Sequence, residues 1–162
     1  MKRVLLNTVV SSLLLLPLSA TAQLQQEMGN WRAANQTAKS ITGDLAIAPE
    51  KLYINFMRFP VSRIRPLEPS EIAAAFEAES DPTAGGSTTA GTGSLFRLSI
   101  PPEQKFLHKN TLCGSDETQW MATFVSGKIL KVAFFSNAKP PVFKLEELQN
   151  SPNLCGTFTY NR

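Results

Sequence analysis

The sequence contains little of the chemistry that metal sites and nucleophilic catalysis require. Its 162 residues include one histidine, His108, and two cysteines, Cys113 and Cys155. These supply at most three conventional zinc ligands, and they lack the short spacing that is typical of a zinc site. After the N-terminal segment, no apolar run approaches the roughly 20 residues that a membrane-spanning helix needs. The sequence therefore predicts no metal, no cofactor and no stable membrane anchor.

An excess of charge of either sign is also lacking. The chain has 16 Lys and Arg residues against 13 Asp and Glu residues. Without Lys2 and Arg3, which belong to the N-terminal segment described next, 14 cations remain against 13 anions. Nucleic-acid binding depends on clustered cations. This near balance predicts no nucleic-acid partner.

Residues 1–22 have the organisation of a secretory signal peptide. A basic start precedes an apolar run from Val4 to Leu18, and Ala20-Thr21-Ala22 follows. These are the basic, apolar and small-residue parts of such a peptide. A membrane anchor is the alternative, but polar residues and a proline interrupt the run. We therefore expect a periplasmic or secreted mature chain that begins at Gln23.

The two cysteines are expected to pair. An even number of cysteines in a small exported domain predicts a disulfide. A Cys113–Cys155 bridge would close a loop of about 43 residues, and the chain-entropy estimate for such a loop is roughly 4 kcal/mol. Two buried free thiols are the alternative.

Two hairpins are indicated along the chain. The first joins Asp44–Ile47 to Leu52–Phe59, where apolar and polar residues alternate with the period of a half-buried strand. Pro60 is expected to end its second strand. The second joins Trp120–Val125 to Lys128–Phe135 through Ser126-Gly127, the strongest hairpin signal in the chain. Large apolar side chains on both faces predict that this second hairpin is covered on both sides.

Many short strands without a βαβ rhythm predict an all-β fold. The architecture expected is a small antiparallel barrel or sandwich, and an α+β fold with one or two short helices is the alternative. Residues 23–42 are expected to form an irregular or short helical lead. Residues 43–162 are expected to form a single β domain.

Three segments are harder to assign. Residues 71–79 combine the alanine content of a helix with flanking strands, and we favour a strand. Residues 80–94 are rich in glycine, serine and threonine and have no large apolar side chain, which predicts a flexible loop. Residues 106–112 are interpreted as a further short strand.

Several phrases together resemble an uncharacterised family of small, signal-peptide-bearing proteobacterial proteins with paired LCG motifs. The phrases are LFRLSIPP at 95–102, NTLCG at 110–114, TQW at 118–120, LKVAFFS at 130–136 and LCGTFTY at 154–160. The resemblance implies an exported, periplasmic β domain and no particular activity. Its paired cysteine-glycine positions match Cys113 and Cys155, which supports the bridge.

No convincing catalytic set emerges from the remaining residues. His108 lies five positions before Cys113, with Asp116 nearby, and a Cys–His hydrolase would need a thiolate, a base and an orienting group. A disulfide would consume the thiol. We therefore expect no catalytic residue, and a Cys–His hydrolase remains the enzymatic alternative.

The candidate binding residues are three arginines. Arg63 and Arg65 are expected to project from one face of a strand, with Arg58 close by. Contact with an anionic ligand or a partner is one interpretation. Pairing with the acidic residues of the segment from Glu68 to Asp81 is the other.

The function that the sequence favours is non-enzymatic binding of a protein or a small ligand in the periplasm. An inhibitor of a cell-wall hydrolase or protease is a more specialised alternative, by analogy of fold. A carrier of an apolar ligand inside the barrel is another. The aromatic residues, Phe56 and Phe59 among them, are expected mostly to lie in the core.

Overall fold

A computed structural model describes residues 26–76 and 91–162 of the chain. Eight antiparallel strands form a closed barrel in which each strand pairs with the next, and the last strand pairs with the first. The strands are β1 Gly29–Ala33, β2 Leu45–Ala48, β3 Lys51–Ile54, β4 Met57–Pro66, β5 Thr92–Ile100, β6 Thr118–Ser126, β7 Ile129–Phe135 and β8 Leu154–Asn161. The prediction of a small all-β fold is confirmed, and the open choice between barrel and sandwich is settled as a barrel.

Helices are short in the described part of the chain. They are α1 Gln36–Ser40, α2 Pro69–Phe76, α3 Leu145–Gln149 and the 3₁₀ turn Leu107–Lys109. Among the described residues, none of these helices is long and apolar enough to cross a membrane.

Side chains fill the interior of the barrel. Alternate residues of each strand point inward, and an eight-stranded barrel is just wide enough for such side chains to fill it. The largest interior side chains with almost no exposure are Trp31, Phe134, Phe158 and Tyr160. The Thr42 and Tyr160 hydroxyls lie 2.7 Å apart, so the one phenol in this core has a polar partner.

A second apolar cluster covers the outside of β5, β6 and β7. Phe76 of α2 stacks on Phe124 at 6.0 Å between ring centroids. Phe143, just before α3, meets Phe135 edge-to-face at 5.9 Å. The β6–β7 ribbon is therefore buried on both faces, as its two apolar faces predicted. The same helices leave the outside of β1, β2 and β3 uncovered among the described residues.

The lead contributes a barrel strand rather than being irregular or helical throughout. β1 pairs with β2 from Gly29 to Trp31 and with β8 at Arg32 and Ala33. β1 therefore closes the barrel, because it joins β2 on one side to β8 on the other. Local periodicity missed it because five residues are too few to show an alternation that their neighbours do not share.

The first hairpin contains a turn that the sequence interpretation overlooked. Leu52–Phe59 is not one strand, because Ile54 pairs with Met57 and leaves Asn55 and Phe56 as a two-residue turn. Pro60 does not end a strand but lies inside β4, opposite Lys51, the first residue of β3. Proline is tolerated there because the β3–β4 ladder ends at that pair.

Three further assignments change. Residues 71–76 belong to α2, so the strand favoured at 71–79 is wrong for them. The helix forms because of the helical propensity of alanine and the packing of Phe76 on Phe124. Residues 77–79 lie outside the described residues. Residues 107–109 form a 3₁₀ turn in place of the expected strand. Of the loop predicted at 80–94, residues 80–90 lie outside the described residues, and Thr92–Ile100 is β5. The signal peptide assigned to 1–22 also lies outside the described residues.

Candidate functional site

The turn between β3 and β4 presents an aromatic ring to solvent. Phe56 is 96% exposed. Its φ angle is 67° and that of Asn55 is 46°, so both turn residues adopt the left-handed conformation of a type I′ hairpin. Asparagine tolerates this conformation, but it costs a residue with a bulky side chain roughly 1–2 kcal/mol. The ring is therefore exposed and its backbone is strained.

Contacts with the neighbouring loop hold this turn. The backbone N–H of Asn55 donates to the carbonyl oxygen of Asp44 at 3.0 Å. Asp44 in turn accepts the backbone N–H of Ala33 through Oδ1 at 3.0 Å. These bonds connect the turn to β1 and to the start of β2, so the Phe56 backbone is fixed relative to the barrel.

A groove of about 570 Å³ runs beside this turn on the outside of β1, β2 and β3. Ala46 on the central strand lies between Asn30 and Tyr53, its cross-strand neighbours. The small side chain of Ala46 leaves a channel between longer ones. The groove is lined by Asn30, Trp31, Arg32, Asp44, Leu45, Ala46, Tyr53, Asn55 and Phe56.

Two exposed arginines border this groove. Arg32 lines it, and Arg58 is the cross-strand neighbour of Tyr53 on β4. Across residues 26–76 and 91–162, the ion pairs are Arg65–Glu71 and Lys144–Glu147. Both arginines are exposed. The groove face thus combines aromatic rings with two cations that have no ion pair within residues 26–76 and 91–162.

The three arginines singled out from the sequence lie in three different surroundings. Arg58 is on the groove face. A register shift separates Arg63, which pairs with interior Phe96, from Arg65, which pairs with exterior Leu95. The expectation that Arg63 and Arg65 share a face is therefore wrong, because a β-bulge reverses the alternation between them. Contact of any of the three with an external anion or partner stays a prediction.

Arg65 has an internal acidic partner. Its guanidinium makes two hydrogen bonds to Glu71, at 2.6 and 2.7 Å. This pairing lowers the pKa of Glu71 and raises that of Arg65. Internal charge pairing, the second interpretation from sequence, describes this arginine.

Arg63 belongs to a buried polar cluster at one end of the barrel. Its Nε donates to Ser94 Oγ at 3.0 Å. Thr123 Oγ1 donates to Oε1 of the fully buried Glu27 at 2.9 Å. Glu27 Oε2 and Arg63 Nη2 are buried and have no hydrogen-bond partner in the part of the chain that the structure describes. The cluster thus contains a carboxyl group and a guanidinium that each make fewer hydrogen bonds than they could.

Burial sets the protonation of Glu27. Desolvation raises the pKa of this carboxyl above its usual value, against the smaller opposing effects of hydrogen bonds from Ser94 and Thr123 and the charge of Arg63. The folded protein therefore holds the Glu27 proton more tightly than the unfolded chain does. The contribution to stability is present below the unfolded pKa and is lost as pH rises through the folded pKa.

We expect the Glu27→Gln variant to lack this pH dependence. The free energy of unfolding of the wild type, minus that of the variant, should fall as pH rises from about 4 upward. Chemical denaturation of both proteins at a series of pH values measures this difference. A difference that rises with pH would contradict the raised pKa of Glu27.

The cysteines form the predicted bridge. Cys113 and Cys155 are joined by a disulfide, with 4.8 Å between their Cα atoms. The thiol that a Cys–His hydrolase would need is therefore occupied. His108 is exposed on the 3₁₀ turn. Within the described ranges, no group of three or more His, Cys, Asp or Glu side chains is placed to hold a metal ion.

No family model matches the chain, and no match was found among curated proteins or solved structures. The resemblance to an exported family with paired LCG motifs stays a prediction.

Two of these features escaped the sequence interpretation. The aromatic residues, Phe56 among them, are expected mostly in the core, and the one local signal against this at position 56 is the preceding Asn55, which favours a turn. Glu27 was not singled out, because nothing in its neighbourhood marks a glutamate as buried. Its position depends on Ser94 and Thr123, which are distant in sequence.

Proposed function

We propose that this chain is an exported, non-enzymatic binding protein that captures a protein partner on the outside of β1–β3, with Phe56 as the anchor. The observation that carries the proposal is the exposure of Phe56 on a strained turn. Backbone strain of this kind concentrates at functional sites, and aromatic residues dominate the energetics of protein interfaces.

The energies favour an interface over a structural role for Phe56. In the free protein the ring gains almost nothing from packing, and its left-handed backbone costs roughly 1–2 kcal/mol. Burial of a phenylalanine in a partner's pocket would return about 1.5–3 kcal/mol. The turn is therefore unfavourable in the isolated chain and favourable in a complex.

The groove supports a partner of defined chemistry. Tyr53 offers a flat apolar surface beside Phe56, and Arg32 and Arg58 have no ion pairs among the described residues. Complementary charge across an interface raises the association rate and selects the partner. We expect a partner with an apolar pocket and an acidic rim. Binding should weaken as ionic strength increases.

The filled interior favours surface binding over the apolar-carrier alternative. Met121, Leu130 and Val132 have no solvent exposure, and neither have Phe134 and Phe158. An internal ligand would have to displace these side chains. The external groove can take a partner without such rearrangement.

Export is part of the proposal and is supported by two features. The disulfide is typical of proteins outside the reducing cytosol, and residues 1–22 have the pattern of a signal peptide. N-terminal sequencing of the protein from the periplasm or medium should begin at Gln23. An intact N-terminus on the purified exported protein would contradict cleavage there.

We expect the Phe56→Gly variant to lose affinity without losing stability. Glycine accepts the left-handed turn, so thermal unfolding should be unchanged or shifted upward. Loss of an aromatic anchor should weaken binding by about 2 kcal/mol, which is about 30-fold. Destabilisation of Phe56→Gly would instead indicate a structural role for the ring.

Site-specific cross-linking identifies the partner for this measurement. A photo-reactive phenylalanine analogue at position 56 should give a discrete adduct in the exported compartment. The same analogue at Val142, which is 51% exposed, serves as the matched control. Excess wild-type protein should suppress the adduct, and excess Phe56→Gly protein should not. Equal adducts from the two positions would contradict the proposal.

An inhibitor of a cell-wall hydrolase or protease is the specialised form that the protruding turn favours. An exposed ring at the tip of a hairpin is convex, and it fits a concave cleft such as an active site. Lysozymes and periplasmic proteases should then lose activity with the wild type and retain it with Phe56→Gly. Full residual activity at excess wild-type protein would exclude this form.

A further inference from the structure

The end of the barrel opposite Phe56 is covered by residues 26–28, the described part of the lead that precedes β1. In an antiparallel meander, the β3–β4 turn lies at one end. The C-terminal parts of β4 and β6 and the start of β5 lie at the other. There Arg162 donates to the carbonyl oxygen of Gln26 and, at 3.3 Å, to that of Met28. Thr92 donates to the Gln26 side chain at 3.2 Å.

Glu27, in the middle of this lead, is held through both backbone and side chain. Trp31 Nε1 donates to its carbonyl oxygen at 2.9 Å. The guanidinium of Arg162 lies 4.0 Å from the centroid of the Trp31 ring, which positions the indole. Each of residues 26–28 thus accepts a hydrogen bond from a donor on the barrel or just after β8.

The Glu27 carboxylate enters a socket formed by Arg63, Ser94 and Thr123, one residue from each of three successive strands. Thr123 Oγ1 donates to Oε1 of the carboxylate at 2.9 Å, and the neighbouring Ser94 hydroxyl acts to lower the pKa of Glu27. Arg63 acts on it only through its charge, without an ion pair within 4.0 Å among the described residues. Arginine binds carboxylates best through two parallel hydrogen bonds, and here Nη2 has no partner.

The occupant therefore fits the socket incompletely. A buried donor or acceptor without a partner costs the desolvation of that group, and both Glu27 Oε2 and Arg63 Nη2 are in this state. A ligand carboxylate placed nearer to Arg63 would accept from Nη2, and the displaced Glu27 carboxylate would be hydrated by solvent. Such a ligand would compete with the lead on favourable terms.

We propose that this end of the barrel is a binding site for a short peptide segment with a glutamate side chain, which residues 26–28 occupy in cis. The ligand's carboxylate binds Arg63, Ser94 and Thr123. Trp31 and Arg162 donate hydrogen bonds to its backbone carbonyl oxygens. The site is distinct from the Phe56 face and does not depend on the function proposed for it.

The probe that tests this is a synthetic pentapeptide of residues 26–30, blocked at both ends. The receptor is the chain without 1–22 that carries Glu27→Ala, in which the lead remains but the socket is empty. Titration calorimetry should show that this variant binds the peptide at least tenfold more tightly than the wild type does. The wild type binds weakly because its own Glu27 competes.

A matched peptide with glutamine in place of glutamate separates recognition of the carboxylate by the socket from non-specific peptide binding. We expect it to bind the Glu27→Ala receptor at least tenfold more weakly than the glutamate peptide. Adding Thr123→Val to the receptor should remove most of this preference. Equal affinities for the two peptides, or no binding of either to the folded receptor, would overturn the proposal.

Folding of the receptor is checked by its thermal transition and its intact disulfide. If Glu27→Ala does not fold, Glu27→Gln, which conserves shape, takes its place with the same two peptides. Val142→Ala, added to the Glu27→Ala receptor, serves as an independent control, because Val142 is 51% exposed and lies outside the socket, so peptide binding should be unchanged. A loss of peptide binding in that double variant would contradict binding at the socket.

Discussion

Replacing Cys155 with alanine should lower the free energy of unfolding by about 2–5 kcal/mol. The bridge joins residues 42 positions apart in sequence, so its loss restores considerable freedom to the unfolded chain. In the folded protein it connects the segment after the 3₁₀ turn to the second residue of β8. Both cysteines also pack against the interior core. Chemical denaturation of the oxidised wild type and the variant measures the difference.

The double variant Cys113→Ala/Cys155→Ala is the control for this prediction. If the bridge is the dominant effect, the double variant should be destabilised by about as much as the single one, within about 0.5 kcal/mol. Reduction of the wild type should give a similar loss. A single variant as stable as the oxidised wild type would show that the bridge does not contribute to stability.

Replacing Phe134 with alanine should cost about 3–5 kcal/mol of folding free energy. Phe134 is 0% exposed in the barrel interior, and its ring meets that of Phe158 edge-to-face at 5.4 Å. Truncation removes both the apolar transfer energy and this ring contact. It also leaves a cavity that a closed barrel cannot collapse easily. Thermal and chemical unfolding provide the measurement.

Phe56→Ala is the matched control, because the substitution is chemically identical and the exposure is opposite. Phe56 is 96% exposed, so its truncation should change stability by no more than about 0.5 kcal/mol. The contrast between the two variants separates packing from surface function. Similar losses at both positions would contradict the assignment of Phe56 to the surface.

The interior and the disulfide provide stability, and the two binding surfaces that we propose lie outside them. One is the Phe56 turn with its groove, and the other is the end covered by residues 26–28. Each surface combines an energetic cost in the isolated chain with chemistry that a ligand could satisfy. Strain at Phe56 and unpaired polar atoms at Glu27 and Arg63 are those costs.

Features with a local cause could be predicted from the sequence. The β6–β7 hairpin follows from Gly127, although the turn is one residue later than Ser126-Gly127 indicated. Ser126 pairs with Ile129, so Gly127 and Lys128 form the turn, and Gly127 has a φ of 57°. Glycine adopts this conformation without strain, and that decides the register.

The candidate site was less predictable because closure of the barrel brings its residues together from distant parts of the sequence. Phe56 has the same local pattern as a core aromatic, and only the pairing of Ile54 with Met57 turns it outward. Arg63 and Arg65 are two apart and would share a face in a regular strand. The bulge between them, which depends on the β5 partner, reverses that alternation.

The sequence alone determined the β class, the disulfide partners and the presence of two hairpins, because alternation, cysteine number and turn residues act over a few positions or leave no choice of partner. Only the tertiary structure decided the closed barrel, the burial of Glu27 and the exposure of Phe56. These depend on which strands meet across the sheet. Nothing in the residues adjacent to Glu27 encodes the distant hydroxyls that surround it.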